Sequence, residues 1–287
     1  MTKDRFSCLH GTAAVSLIFM LMAAPAQSGQ ARLCPPSNHW NENIRDMDRI
    51  RQATVINQVG VLTSDWYRRV LTSGSPAQDI PVVYPSGMTA LDIASADIHQ
   101  NSNGGIHMCV ALNARVDGKA QRLEDAFVFN PGSSAMEITG VERKAPAVTL
   151  DTPEQVVATQ KDGYTARLVA YLWLSEINRL DVNSNVPKLR MNGGVSQIIA
   201  RTRNQLGDTG WMLRKVSHQA KNNGQMEVDV SLEWKGIRPD GRYTLAAFRH
   251  TLLVDTAGLA QTNTLNILAV NEDILLPNAA PWEKLLC

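Results

Sequence analysis

Residues Met212–Val254 read MLRKVSHQAKNNGQMEVDVSLEWKGIRPDGRYTLAAFRHTLLV, and this stretch decides the fold. A first run ends in Val216-Ser217-His218-Gln219, and the turn Lys221-Asn222-Asn223-Gly224 follows it. Met226, Val228, Val230, Leu232 and Trp234 then alternate with Glu227, Asp229, Ser231 and Glu233. Period-two alternation marks a strand with one buried face and one wet face. Arg238-Pro239-Asp240-Gly241 supplies Pro and Gly where a tight reversal needs fixed or positive φ. A third run, Tyr243 to Val254, returns along the second.

The same grammar appears between Ile93 and Phe129. Ala96-Asp97-Ile98-His99 leads to a turn at Asn101–Gly105, followed by alternating Ile106, Met108, Val110 and Leu112. The turn Asp117-Gly118 precedes a further run from Leu123 to Phe129. Asn103-Gly104 and Asn223-Gly224 are 120 residues apart, as are Ile106 and Met226, Val110 and Val230, and Leu112 and Leu232. Such spacing reads as a diverged internal duplication.

The chain has 287 residues, enough for one large domain or two of common size. Lys3 and Arg5, an apolar run from Thr12 to Ala24, and Ala24-Pro25-Ala26 make residues 1–26 a signal peptide. The apolar run is short for a membrane span. Without that segment 26 basic and 26 acidic residues remain, a balance that argues against nucleic acid or an anionic membrane surface as partner. No Asn-x-Ser/Thr acceptor occurs, in keeping with bacterial export to the periplasm or beyond. Cys34, Cys109 and Cys287 then remain; export favours a disulfide, and all three pairings stay open.

A helical stripe is expected through Trp40, Ile44, Met47, Ile56 and Val59, interrupted at Gly60, with a second helix from Ser64 carrying Trp66, Val70 and Leu71. Strands follow from Leu91 to Val141. Ala145 to Pro153 forms the joint, with Thr152-Pro153 as a helix start. Helices from Tyr164 to Leu180 and Val195 to Leu206 come next, then strands ending with Ala260 to Val270. The reading is α+β: two tandem modules, 27–146 and 147–287, each with helices followed by a curved antiparallel sheet of about four strands. This element order resembles the nuclear transport factor 2-like and cystatin-like α+β cone. The resemblance implies either a small-molecule enzyme or a non-catalytic assembly module, such as the periplasmic domains of type IV secretion and conjugation machinery.

Two clusters carry possible chemistry. Pairing Gln100 with Ile106 sets His99 opposite His107 and Asp97 opposite Cys109, a donor set of the kind that holds zinc or copper. The equivalent residues of the second half, Gln219, Glu227, Ser217 and Asp229, are an ordinary polar surface, which favours the same for the first. In the second sheet His218 takes the core-facing register with Val228. With Asp229 and Trp211 it forms the candidate for proton transfer in a pocket, against the alternative of a hydrogen-bonded structural histidine. No phosphate loop, Gly-x-Ser-x-Gly, His-Glu-x-x-His or Cys-x-x-Cys occurs, so the sequence implies no cofactor. The functional expectation is an exported binding or assembly protein with a protein partner or self-association; an enzyme or ligand binder with a pocket in the second half is the alternative.

Overall fold

The computed structural model describes residues 40–44, 47–73, 80, 82, 84–101, 104–131, 135–149 and 161–276. Strand β1 (Trp40–Asn43) and helix α1 (Arg49–Ser73) precede β2 (Met88–Asn101), β3 (Ile106–Val116), β4 (Lys119–Pro131) and β5 (Met136–Thr149). Then come α2 (Lys161–Asn178), β6 (Lys188–Met191), α3 (Gly193–Leu206), β7 (Trp211–Ala220), β8 (Gln225–Ile237), β9 (Tyr243–Asp255), α4 (Gly258–Gln261) and β10 (Thr264–Leu276). The first sheet runs β1-β2-β3-β4-β5 and is antiparallel throughout. The second runs β6-β10-β9-β8-β7, with β6 parallel to β10 and the rest antiparallel. The class is α+β.

The hairpin pairings follow from the alternation. Ile98 lies opposite Met108, His99 opposite His107 and Asp97 opposite Cys109. In the second sheet His218 lies opposite Val228, Gln219 opposite Glu227 and Ser217 opposite Asp229. Each of these pairs is displaced by 120 residues from its counterpart, and so are the bulges, between Ile93 and Ser95 and between Leu213 and Lys215. The turns close alike: Asn101 N–H donates to the Gly105 carbonyl at 2.8 Å, and Lys221 N–H to the Gln225 carbonyl at 2.9 Å. Gly104 and Gly224 supply the positive φ, at 82° and 72°. Beyond the longer turn from Arg238 to Arg242 the displacement becomes 125, so that Phe129 opposite Ile106 corresponds to Val254 opposite Met226.

The helices depart from expectation. Trp40 stands in a strand, and Gly60 does not interrupt a helix; α1 runs unbroken through it. Every residue from Val59 to Arg68 is buried, and α2 is buried nearly all round. A helix apolar on every side needs cover on every side. Tyr164 and Trp173 on α2 lie two and a half turns apart, at about 3.6 residues per turn, and so point in opposite directions. Tyr164 donates to the Leu91 carbonyl of the first sheet at 3.2 Å, and Trp173 to His250 of the second at 2.9 Å. From α1, Trp66 and Tyr67 meet Phe127 of the first sheet edge-on. The two helices therefore form a layer with a sheet on either side, where each sheet was expected to have its own helices on one face. One hydrophobic core runs through all three layers.

Gly60 is where the helices meet. A Cβ there would stand 2.4 Å from the Tyr171 ring. Beside it fully buried Asn57, with its amide nitrogen toward α2, donates to the Tyr171 carbonyl at 2.9 Å and accepts from the Ser175 hydroxyl at 3.1 Å. At the far end of α2, Asn178 and Trp211 exchange two hydrogen bonds, of 3.0 and 3.1 Å, that fix the start of β7. The helix start expected at Thr152-Pro153 falls outside the described residues. Helix α3 begins at an Asn192 cap accepting from Val195 N–H at 2.9 Å.

Gly60→Ala gains about 1 kcal/mol of helix propensity but overpacks the crossing by about 1–3 kcal/mol. Urea denaturation should show net destabilisation in the wild-type background and a gain in a Tyr171→Leu background. A gain in both would refute the close crossing.

Candidate functional site

In the first sheet the apolar row of β4, Leu123, Phe127 and Phe129, is broken by Asp125, whose side chain is fully buried. Arg143, directly opposite on β5, holds it with two bonds: Nε donates to Oδ1 at 2.7 Å and Nη2 to Oδ2 at 2.8 Å. Tyr67 and Tyr84 donate to Oδ2 at 3.0 and 3.1 Å, and Trp66 Nε1 is bonded to the Tyr84 hydroxyl. The Arg143 guanidinium lies 3.5 Å over the Tyr84 ring, with Nη1 buried and unpaired. Burial, with the Asp125 carboxylate adding to it, pushes both phenols well above their usual range. They stay protonated donors.

The second sheet has a counterpart, again displaced by 125. His250 interrupts the buried row Ala246, Phe248 and Leu252 on β9 and faces Glu272 on β10. An indole N–H can only donate. Nδ1 of His250 therefore accepts from Trp173 at 2.9 Å, which leaves the proton on Nε2, donated to Glu272 Oε2 at 3.1 Å. Arg201 on α3 donates to the other Glu272 oxygen at 2.8 Å. The His250 hydrogen bond, joined by the Arg201 charge, holds the Glu272 carboxyl below its usual range against the opposing pull of burial. With both ring nitrogens engaged, His250 is locked in one tautomer. This is a satisfied structural network.

Neither expected cluster assembles as a reaction centre. His218 has the expected register but is exposed, because the helical layer ends short of that part of β7. Asp229 points to the opposite face and accepts from Thr251 at 2.6 Å, so the two never meet. Trp211 is fully buried and bonded to the Gly207 carbonyl at 2.9 Å. His99, His107, Asp97 and Cys109 do share one hairpin, yet among the described residues no three His, Cys, Asp or Glu side chains are placed to hold a metal ion. His107 Nε2 lies 3.2 Å from the Asn101 amide nitrogen. Partial burial lowers the His99 imidazole, with Asp97 pulling the other way. Cys34 and Cys287 lie outside the described residues. The residues overlooked, Asp125, Arg143 and Glu272, left one trace: a charge or imidazole in the apolar register of a strand.

The accessible feature is an edge. β6 pairs with β10 only over Thr264–Ile267, and among the described residues no strand continues along Leu268–Leu276. Ile274 is 61% and Leu275 52% exposed there. At the same end of the sheet Ile237, 69% exposed, faces Tyr243 across β8 and β9. The acids of this edge are already matched, Asp273 by Arg249 at 2.5 Å and Glu272 by Arg201. Among the described residues no helix is long and apolar enough to cross a membrane. No family model, curated protein or solved structure matches this chain.

Two outcomes test the buried pairs. Arg143→Met, which strands Asp125 in the core, should lower stability by about 3–5 kcal/mol, and adding Asp125→Leu should recover part of it; a further loss in the double variant would contradict the account. A carboxyl depressed in the fold stabilises above the unfolded value of about 4.3 and loses that stabilisation as pH falls through the folded value. Glu272→Gln should therefore be less stable at pH 7 and show a shallower fall below about pH 4.3 by denaturant titration.

Proposed function

We propose that this protein is a non-catalytic, exported binding or assembly component of the bacterial cell envelope, engaging a protein partner through the open edge of its second sheet. The observation that supports this is the unpaired length Leu268–Leu276, flanked by exposed Ile274 and Leu275. An unpaired strand offers main-chain donors and acceptors to an incoming strand, and apolar side chains beside it add area to bury. Natural edges are commonly blunted by unmatched charge. Here both acids have basic partners, so they present less repulsion to an added strand.

A disulfide at Cys109 would suit an oxidising compartment, and the amino-terminal pattern of residues 1–26 supports export. The common hairpin register, bulge and turn support two α+β modules descended from one duplicated unit, in the manner of nuclear transport factor 2-like or cystatin-like cones. A secretion or conjugation apparatus is the concrete setting we favour.

A photo-crosslinking residue at Leu275 should give a discrete adduct in the native envelope, absent when the same residue is placed at exposed Lys119. Ile274→Lys should abolish the adduct with little change in Tm. Equal labelling at both positions, or an adduct indifferent to Ile274→Lys, would dismiss the edge as the contact surface.

A further inference from the structure

An open groove of about 590 Å³ lies where the end of α1 approaches the α2–β6 connection and α4. Its volume is within the range of small-ligand sites, roughly 300–1,000 Å³. Arg68 and Arg69 line one side, Ser184 and Asn185 another, and the segment Leu259–Asn263 the third. Among the described residues no carboxylate lines it.

The charge balance of the wall is fixed by one buried acid. Asp65 takes Arg68 Nε and Nη2 on Oδ1, at 3.0 and 2.6 Å, and Arg69 Nε on Oδ2 at 2.8 Å. Arg69 Nη2 donates to the Asn185 carbonyl at 2.7 Å. Two guanidiniums thus share one carboxylate and leave a local surplus of one positive charge. The Nη1 of each carries no hydrogen bond among the described residues; Arg69 is half-buried and Arg68 only 7% exposed, so Arg69 presents the more open edge. Asp65 also holds both planar groups in place, so an incoming anion meets donors whose side-chain entropy is already spent. Opposite them the Ser184 hydroxyl and the Asn185 and Gln261 amides are exposed and not engaged elsewhere among the described residues, while Leu259 packs its apolar body against the core.

The geometry points to a binding site for a small anionic ligand, a phosphate monoester or a polycarboxylate, in this groove. The anion lies on the Nη1 edges of Arg68 and Arg69, and Ser184, Asn185 and Gln261 meet its hydroxyl or carbonyl groups. The site is separate from the sheet edge and does not depend on what binds there. Two charge-assisted bonds on a partly screened surface suit a loosely held metabolite or headgroup-like anion.

Isothermal titration calorimetry of the full chain at low ionic strength, with glucose 6-phosphate, citrate and glucose as probes, tests this. At least one of the two anions should bind, with glucose silent; which anion binds tells phosphate from carboxylate. Gln261→Glu puts a carboxylate into the groove without touching the core and should weaken binding about tenfold, as should Arg69→Gln, while exposed Arg242→Gln changes nothing. Silence from both anions, a glucose heat equal to theirs, or affinity unchanged by Gln261→Glu would overturn the proposal.

Discussion

The close crossing of α1 and α2 at Gly60 and Tyr171 is the constraint on which the remaining structure depends. Two helices packed this tightly can be covered on both outer sides at once, and each sheet buries its apolar row against the same pair. The arrangement explains why Trp66, Tyr67, Tyr164 and Trp173 are all buried although they point toward different sheets. It also explains why the inter-helix polar groups are amides and hydroxyls with matched partners: a layer without a solvent face has no water to satisfy an orphan.

Each sheet carries one buried ionisable pair at the same place, with the sign reversed between them. In the first the acid sits on the inner strand and the base beside it; in the second the imidazole is on the inner strand and the acid beside it. Each is bonded by an aromatic donor from the helical layer, Tyr67 in one case and Trp173 in the other. Such pairs contribute little net stability compared with an apolar core of the same shape, since desolvation offsets the attraction. Their effect is on specificity: a slip of one residue in either sheet would leave a charge stranded among Phe and Leu side chains.

Much of the strand pairing could be read from sequence because its signals are local. Alternation from Met226 to Trp234 and from Ile106 to Leu112, with Asn-Gly or Asp-Gly between runs, sets the register within a few residues. The helical layer could not be read that way. Gly60 resembles a break because the reason for it, the ring of Tyr171, lies on another helix. Asn271-Glu272-Asp273 resembles the end of a strand, yet β10 continues to Leu276, because partners on β9 and α3 take up its charges. His218 shows the same limit at the candidate site: its register was legible, but its exposure depends on how far the helices reach over the sheet. Asp125 and Arg143 were hidden for the complementary reason, since sequence shows a charge and not the burial it endures.

The shared position of α2 also sets an order of events. A chain that emerges amino-terminus first brings out α1 and the whole first sheet well before Lys161–Asn178. Until that helix arrives, α1 lacks the partner against which Gly60 and Asn57 are shaped, and the first sheet lacks the donor that reaches Leu91. The early half must therefore wait, with its apolar face uncovered. A protein built this way completes its core only when the later half is present to fold against the earlier one.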